Sequence, residues 1–145
     1  TPHPTVVGLK QEGDQSYAAR NYPAALRSYC EALEEREDVV VLSNRSAAYA
    51  QARRFKEALS DAERALVLQP RWARLHHRRG HALLHLGRYN EAVLSFEKGL
   101  RIEPEDKDLS EALKRAQEYT ELDPDAPPYQ AAAAAQAAAP GRRRR

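Results

Sequence analysis

The sequence has 145 residues, the length of one ordinary domain, and its 42% hydrophobic and 30% charged residues are typical of a globular protein with an apolar core. No apolar run reaches the eighteen or so residues of a membrane-spanning helix, and the first residues lack the basic-then-apolar pattern of a secretory signal. Met is absent, also at position 1, which indicates a fragment or a processed form.

The net charge of +2 depends on the last four residues, Arg142–Arg145. Without them 19 basic side chains stand against 21 acidic ones, so a nucleic-acid-binding surface is not indicated for the folded part. We interpret the Arg run as the end of a disordered tail, with nuclear import or polyanion binding as the alternative. The single cysteine, Cys30, excludes an internal disulfide and a cysteine-based zinc site, and it fits a reducing compartment.

An internal repeat with a period of 34 residues organises the chain. Residues 54–70 and 88–104 align without a gap, and a copy that is one residue shorter precedes them. The matched positions of the two later copies are aromatic, small or proline: Phe55 with Tyr89, Ala58 with Ala92, Ala65 with Gly99, Pro70 with Pro104. The first copy has Gly13, Tyr22, Ala25, Tyr29 and Ala32 in the equivalent places.

Apolar residues recur at helical spacing within each copy, which predicts two helices of about 12–14 residues. One helix pair cannot bury its own apolar face, so three pairs are expected to stack on a shared core. The sequence therefore predicts an all-α fold, an α-solenoid of three helix hairpins with a C-terminal capping helix, within 6–122. In chain order we expect a lead-in at 1–5, repeats at about 6–38, 39–72 and 73–106, a capping helix at about 106–120, and a disordered Pro/Ala-rich tail at 123–145.

The pattern of small, aromatic, Ala and Pro positions between Val6 and Pro104 resembles the tetratricopeptide repeat (TPR). The resemblance implies that the first helix of each pair lines a concave groove and that the second forms the outside. The segments LKQEGD, LSNRSAAYA and WARLHHRRG resemble the chaperone-binding repeat domains of the Hop (stress-induced phosphoprotein) type. In that family a two-carboxylate clamp holds the C-terminal Glu-Glu-Val-Asp of the seventy- and ninety-kilodalton heat-shock chaperones.

The helical spacing of the charged residues fits such a clamp. Lys10 and Asp14, like Arg74 and Arg78, are four residues apart and share a helix face, and Asn44 takes the position of Arg78 one repeat earlier. The resemblance implies that these five residues form the carboxylate-binding site. It also implies that the groove contacts the peptide through Tyr17, Ala47 and Ala50, and we expect His77 and His81 to line the groove too.

Two residues depart from the usual family pattern, which has Asn at the position of Asp14 and Lys at that of Arg74. Arg keeps the charge of Lys and adds a planar donor group. The Asp14 carboxylate repels an anionic ligand unless it turns away to pair with Lys10 or a neighbouring Arg, and such pairing weakens the clamp.

The sequence indicates an interaction module, since it contains no phosphate-binding loop and no recognisable nucleophile–base constellation. We expect no enzymatic activity, no small-molecule substrate, no cofactor and no metal, although His77, His81 and His85 have a spacing that could chelate one. Two other readings are a structural repeat in a larger assembly that binds a non-chaperone partner, and the recruitment domain of a multidomain enzyme. A cytoplasmic location is expected, with the nucleus as the alternative.

Overall fold

The computed structural model describes residues 5–122, which form seven α-helices and no strands. The helices are α1 (Val6–Ala18), α2 (Tyr22–Glu35), α3 (Val39–Gln51), α4 (Phe55–Leu68), α5 (Ala73–His85), α6 (Tyr89–Ile102) and α7 (Lys107–Leu122). The predicted solenoid of three hairpins and a capping helix is confirmed. The predicted tail at 123–145 and positions 1–4 of the lead-in lie outside the described residues. None of the seven helices is long and apolar enough to span a bilayer.

The stack is curved, with the odd-numbered helices on its inner side. Each helix packs against its neighbours in sequence, and the odd-numbered helices α1, α3, α5 and α7 also contact one another in order. The even-numbered helices of the described region make no such contacts with one another. The surface formed by α1, α3, α5 and α7 is therefore concave, as the resemblance implied, and it carries the predicted site.

Side-chain caps determine where several helices begin. The Thr5 hydroxyl accepts a hydrogen bond from the Gly8 amide at the start of α1, and Asp38 accepts from the amides of Val40 and Val41 at the start of α3. Each cap satisfies amides that have no partner within the helix. Two of the helices that carry predicted site residues thus have a defined starting point.

In the first hairpin and again in the third, the two helices pack closely where a glycine of one helix contacts an aromatic ring of the other. A Cβ at Gly13 would lie 2.4 Å from the ring of Tyr29, and a Cβ at Gly80 would lie 2.4 Å from the ring of Phe96. Both rings are almost completely buried. Because the rings lie directly on the glycine backbone, the inner and outer helices approach closely, and this fixes α1 and α5 relative to α2 and α6.

The orientation of α3 is fixed by an ion pair on its outer side. The Arg45 guanidinium donates two hydrogen bonds of 2.7 Å to the carboxylate of Asp61, a buried residue on α4. Burial raises the pKa of Asp61, and the Arg45 charge opposes that shift. Successive residues of a helix point about 100° apart. Holding Arg45 against α4 therefore directs the preceding residue, Asn44, towards α1 and the groove.

The turns within the three hairpins share a backbone conformation in which one residue has a positive φ. These residues are Arg20 (φ 62°), Arg53 (φ 64°) and Gly87 (φ 80°). Glycine adopts this left-handed region freely, whereas other L-residues pay a steric cost there. Only the third hairpin has the residue that this turn favours.

Replacing Gly87 by Ala is expected to lower the free energy of unfolding by about 1 kcal/mol, because Ala is strained at this φ. Urea denaturation followed by circular dichroism measures the change. Arg20→Gly is the matched control in the first hairpin, and it is expected to leave stability unchanged or to raise it. A Gly87→Ala variant as stable as the parent would contradict the assigned turn geometry.

Candidate functional site

The predicted site residues all lie on the inner helices. Helix α1 carries three of them, α3 carries three and α5 carries four. In that order they are Lys10, Asp14 and Tyr17; Asn44, Ala47 and Ala50; Arg74, His77, Arg78 and His81.

Three adjoining pockets form the groove, and Arg78 lines all of them. The first, of about 250 Å³, lies between α1, α3 and α5 and includes Asp14, Tyr17, Asn44 and Ala47. The second, of about 180 Å³, shares Tyr17 and Ala47 with the first and extends to the remaining predicted groove residues: Ala50, His77, His81. The third, of about 250 Å³, lies between α5 and the start of α7. The groove thus centres on one guanidinium.

Asp14 is the hub of a hydrogen-bond network in the first pocket. Its Oδ2 accepts from the Lys10 ammonium at 2.7 Å, and its Oδ1 accepts from the Asn44 amide at 3.0 Å. Oδ1 also accepts from the hydroxyl of Tyr29 at 2.5 Å. Asp14 therefore pairs with Lys10, one of the two arrangements expected from the sequence, and it also accepts a hydrogen bond from Asn44. Two of the predicted ligand donors are engaged by the protein's own carboxylate.

Tyr29 is the residue of this network that sequence reasoning missed. It belongs to the outer helix α2 and fits the repeat pattern as a packing aromatic, but its hydroxyl reaches the groove beside Gly13. Burial raises the pKa of Tyr29, and the hydrogen bond to Asp14 acts in the same direction. The phenol is thus held as a hydrogen-bond donor. The signal in the sequence was the missing side chain at Gly13, which lets the ring pass between the helices.

Arg78 differs from Asp14, which has several partners. No group within residues 5–122 forms a hydrogen bond or an ion pair with Arg78. Its Nε is completely buried without a partner, although the residue as a whole is partly exposed. Burial lowers the pKa of Arg78, and the neighbouring charge of Arg74 adds to that effect. Arg remains charged in proteins. Arg78 is therefore a partly buried cation that has no anionic partner in the part of the chain that the structure describes.

Arg74 lies on the far side of Arg78, away from the Asp14 network. Its guanidinium is 5.6 Å from the ring centre of Trp72. In the third pocket it stands opposite acidic residues of the α6–α7 turn and the start of α7: Glu103, Asp106, Asp108. The structure brings Lys10, Asp14 and Asn44 into contact and places Arg78 beside them, but it does not bring Arg74 into that cluster.

Three histidines of α5, His77, His81 and His85, form a row in which the first two rings are parallel and the last two are tilted by 53°. Ring centres are 6.5 Å apart for His77 and His81, and 4.5 Å apart for His81 and His85. Burial lowers the pKa of His77, and burial with the neighbouring cations lowers the pKa of His81 to about 4. Both shifts favour the neutral form of the rings, and Arg78 brings a positive charge to this part of the groove.

Comparison with known proteins agrees with the fold and the repeat pattern. A family model described as tetratricopeptide repeat matches residues 46–117. The crystal structure of the Sgt2 TPR domain from Aspergillus fumigatus has a TM-score of 0.79 and 30% identity, covering 88% of this chain and 87% of that one. The chain belongs to the tetratricopeptide repeat family.

Other relatives of this TPR domain include a protein named for the same repeat and a domain solved with a chaperone peptide. Small glutamine-rich tetratricopeptide repeat-containing protein 2 of Mycosarcoma maydis is 36% identical over 111 residues, covering 76% of this chain. The second TPR domain of human RPAP3, solved in complex with the HSP70 peptide SGPTIEEVD, has a TM-score of 0.74 and 26% identity, covering 77% of this chain and 94% of that one. The chain spans about a third or less of the length of the curated relatives that it matches.

Proposed function

We propose that this TPR domain is a co-chaperone-type adaptor. Its concave groove binds the acidic C-terminal peptide, ending in Glu-Glu-Val-Asp, of heat-shock chaperones of the seventy- or ninety-kilodalton class. The adaptor brings such a chaperone to whatever the rest of its protein binds and performs no reaction itself. Because the proposed partners are cytosolic chaperones, the proposal places the domain in the cytoplasm.

The observation that carries this proposal is the guanidinium of Arg78, which has no hydrogen-bond or ion-pair partner within residues 5–122. Its buried Nε lacks a partner among the described residues, which is unfavourable, so a carboxylate that reaches this group gains a charge-assisted hydrogen bond and also relieves that cost. The neighbouring Tyr17, Ala47 and Ala50 offer a small, largely apolar surface beside the charge. A peptide terminus that combines carboxylates with a Val side chain complements both features.

The relatives support the same ligand class. The RPAP3 domain was solved with a peptide that ends in EEVD, and the present chain covers most of that domain with the same fold. Charge-assisted hydrogen bonds are each worth about 1.5–3 kcal/mol. A few of them, less the cost of ordering the peptide, give a binding free energy of about −8 kcal/mol, which is micromolar affinity.

A titration with a labelled peptide ending in Glu-Glu-Val-Asp tests the proposal by fluorescence polarisation. The free acid is expected to bind with a Kd near the micromolar range, and amidation of the C-terminus is expected to weaken binding at least about tenfold, since it removes one carboxylate from the ligand. Affinity should also fall as salt is raised from low to physiological concentration.

The amidated peptide is the matched control, because it keeps every side chain. If neither form binds at concentrations well above the expected Kd, the domain is not an adaptor of this type. The structural-scaffold reading, with a partner that has no acidic C-terminus, would then replace it.

A further inference from the structure

Two of the donors that the family resemblance assigns to the ligand, Lys10 and Asn44, already bind a carboxylate of the protein itself. Asp14 accepts hydrogen bonds from the Lys10 ammonium and from the Asn44 amide, and the Tyr29 hydroxyl holds the same carboxylate from the α2 side. The Asp14 carboxylate thus accepts hydrogen bonds from two groups that were expected to bind a carboxylate of the peptide. The network joins three helices, α1, α2 and α3.

The charged groups in this part of the groove can be balanced by one further negative charge. Lys10 and Asp14 form an ion pair 2.7 Å apart and compensate each other. Arg78 contributes the uncompensated positive charge of the pocket that it lines together with Asp14 and Asn44. Another cation of α5, Arg74, lies in the third pocket, where acidic residues stand opposite it: Glu103, Asp106, Asp108.

A second carboxylate next to Asp14 is disfavoured for two reasons. Two carboxylates within a few ångströms repel each other, and one of them must take up a proton or move away. In addition, the Lys10 ammonium and the Asn44 amide each already give one N–H to Asp14, so fewer of their N–H groups remain for a ligand carboxylate. A neutral amide meets neither obstacle, because its N–H groups can donate to the partly exposed Asp14 carboxylate.

We infer that Asp14 is a specificity-determining residue, which makes the groove select a peptide terminus with a single negative charge. The ligand has a free α-carboxylate paired with Arg78 and a terminal side chain that is neutral and donates hydrogen bonds, of which Asn is the example. This inference rests on the proposed function, since it specifies which C-terminal peptides the same groove prefers. A terminal Asp is still bound, but its side-chain carboxylate contributes no affinity.

Two peptides that differ only in the last residue test this inference: one ends in Glu-Glu-Val-Asp and the other in Glu-Glu-Val-Asn, both as free acids. Each is titrated against the parent chain and against Asp14→Asn at pH 7.5. The parent is expected to bind the Asn terminus at least as tightly as the Asp terminus. The Asp14→Asn variant frees the Lys10 charge, so it is expected to bind the Asp terminus several-fold more tightly than the parent does and to prefer it over Asn about tenfold.

The outcomes separate this inference from the proposed function. If the parent prefers the Asp terminus, or if Asp14→Asn leaves the ratio of the two affinities unchanged, Asp14 does not set specificity and the inference is wrong, while the proposed function stands. If neither free acid binds either protein, the proposed function itself fails. Asn is isosteric with Asp and retains an oxygen that accepts from Tyr29, so thermal denaturation of the variant should match that of the parent.

Discussion

Replacing Arg78 by Ala is expected to weaken binding of an acidic C-terminal peptide by at least about a hundredfold. Arg78 lines all three pockets of the groove and carries the charge that no group within residues 5–122 compensates. The change removes two or more charge-assisted hydrogen bonds at once, and a loss of about 2.7 kcal/mol already amounts to a hundredfold in Kd. Fluorescence polarisation or calorimetric titration measures the effect.

The same substitution is expected to leave the fold intact, which separates binding from stability. Arg78 makes no hydrogen bond within the described residues and buries an unsatisfied Nε, so Ala should unfold at the same temperature or higher. Arg27→Ala on the outer helix α2 removes an exposed cation and should change Kd by less than about twofold. An Arg78→Ala protein that binds within threefold of the parent would place the ligand elsewhere.

Replacing Gly80 by Ala is expected to destabilise the third hairpin by about 3 kcal/mol, the upper end of the cost of overpacking a core. The new Cβ would lie 2.4 Å from Cε1 of Phe96, a ring with no exposed surface. Ala is otherwise a better helix former than Gly by about 1 kcal/mol, so a loss of stability here can only come from the contact with the ring. Urea denaturation gives the change in unfolding free energy.

The Phe96→Ala background provides the control for this prediction. The middle hairpin has Ser46 and Ala62 at the equivalent positions, so two small residues are compatible with this architecture. Adding Gly80→Ala to Phe96→Ala should therefore be neutral or stabilising, which gives a coupling energy of several kcal/mol between the two sites. Equal effects of Gly80→Ala in both backgrounds would show that the ring does not limit the approach of α5 and α6.

The fold was predictable from sequence because its determinants are local and repeated. Each hairpin feature has its own signal: the 34-residue period, the prolines after the second helices, and the small residues at Gly13 and Gly80. The repeat occurs three times, so these signals support the same fold. The left-handed residue in each turn was not predictable in the same way. Arg20 and Arg53 carry no signal for positive φ, and only Gly87 does.

The placement of the candidate site residues on the inner helices was predictable, but the contacts among them were not. Helical spacing placed Lys10, Asp14 and Asn44 on inner helices, yet which donor Asp14 prefers depends on side-chain conformations and on a residue from another helix. Tyr29 reaches the groove only because Gly13 lets its ring through. Arg74 was expected beside Arg78 from their spacing. The acidic residues that stand opposite Arg74 were not predictable, because they come from a segment that is distant in sequence.

The stacking of helices on their immediate neighbours has a consequence for how ligand and domain affect each other. Few contacts tie the first hairpin directly to the third, so either end can fray while the rest stays folded. A peptide that contacts both Asp14 on α1 and Arg78 on α5 would connect three repeats and stabilise them against local unfolding. Amide hydrogen exchange in α1, at one end of the array, should then slow when the ligand is anchored at α5.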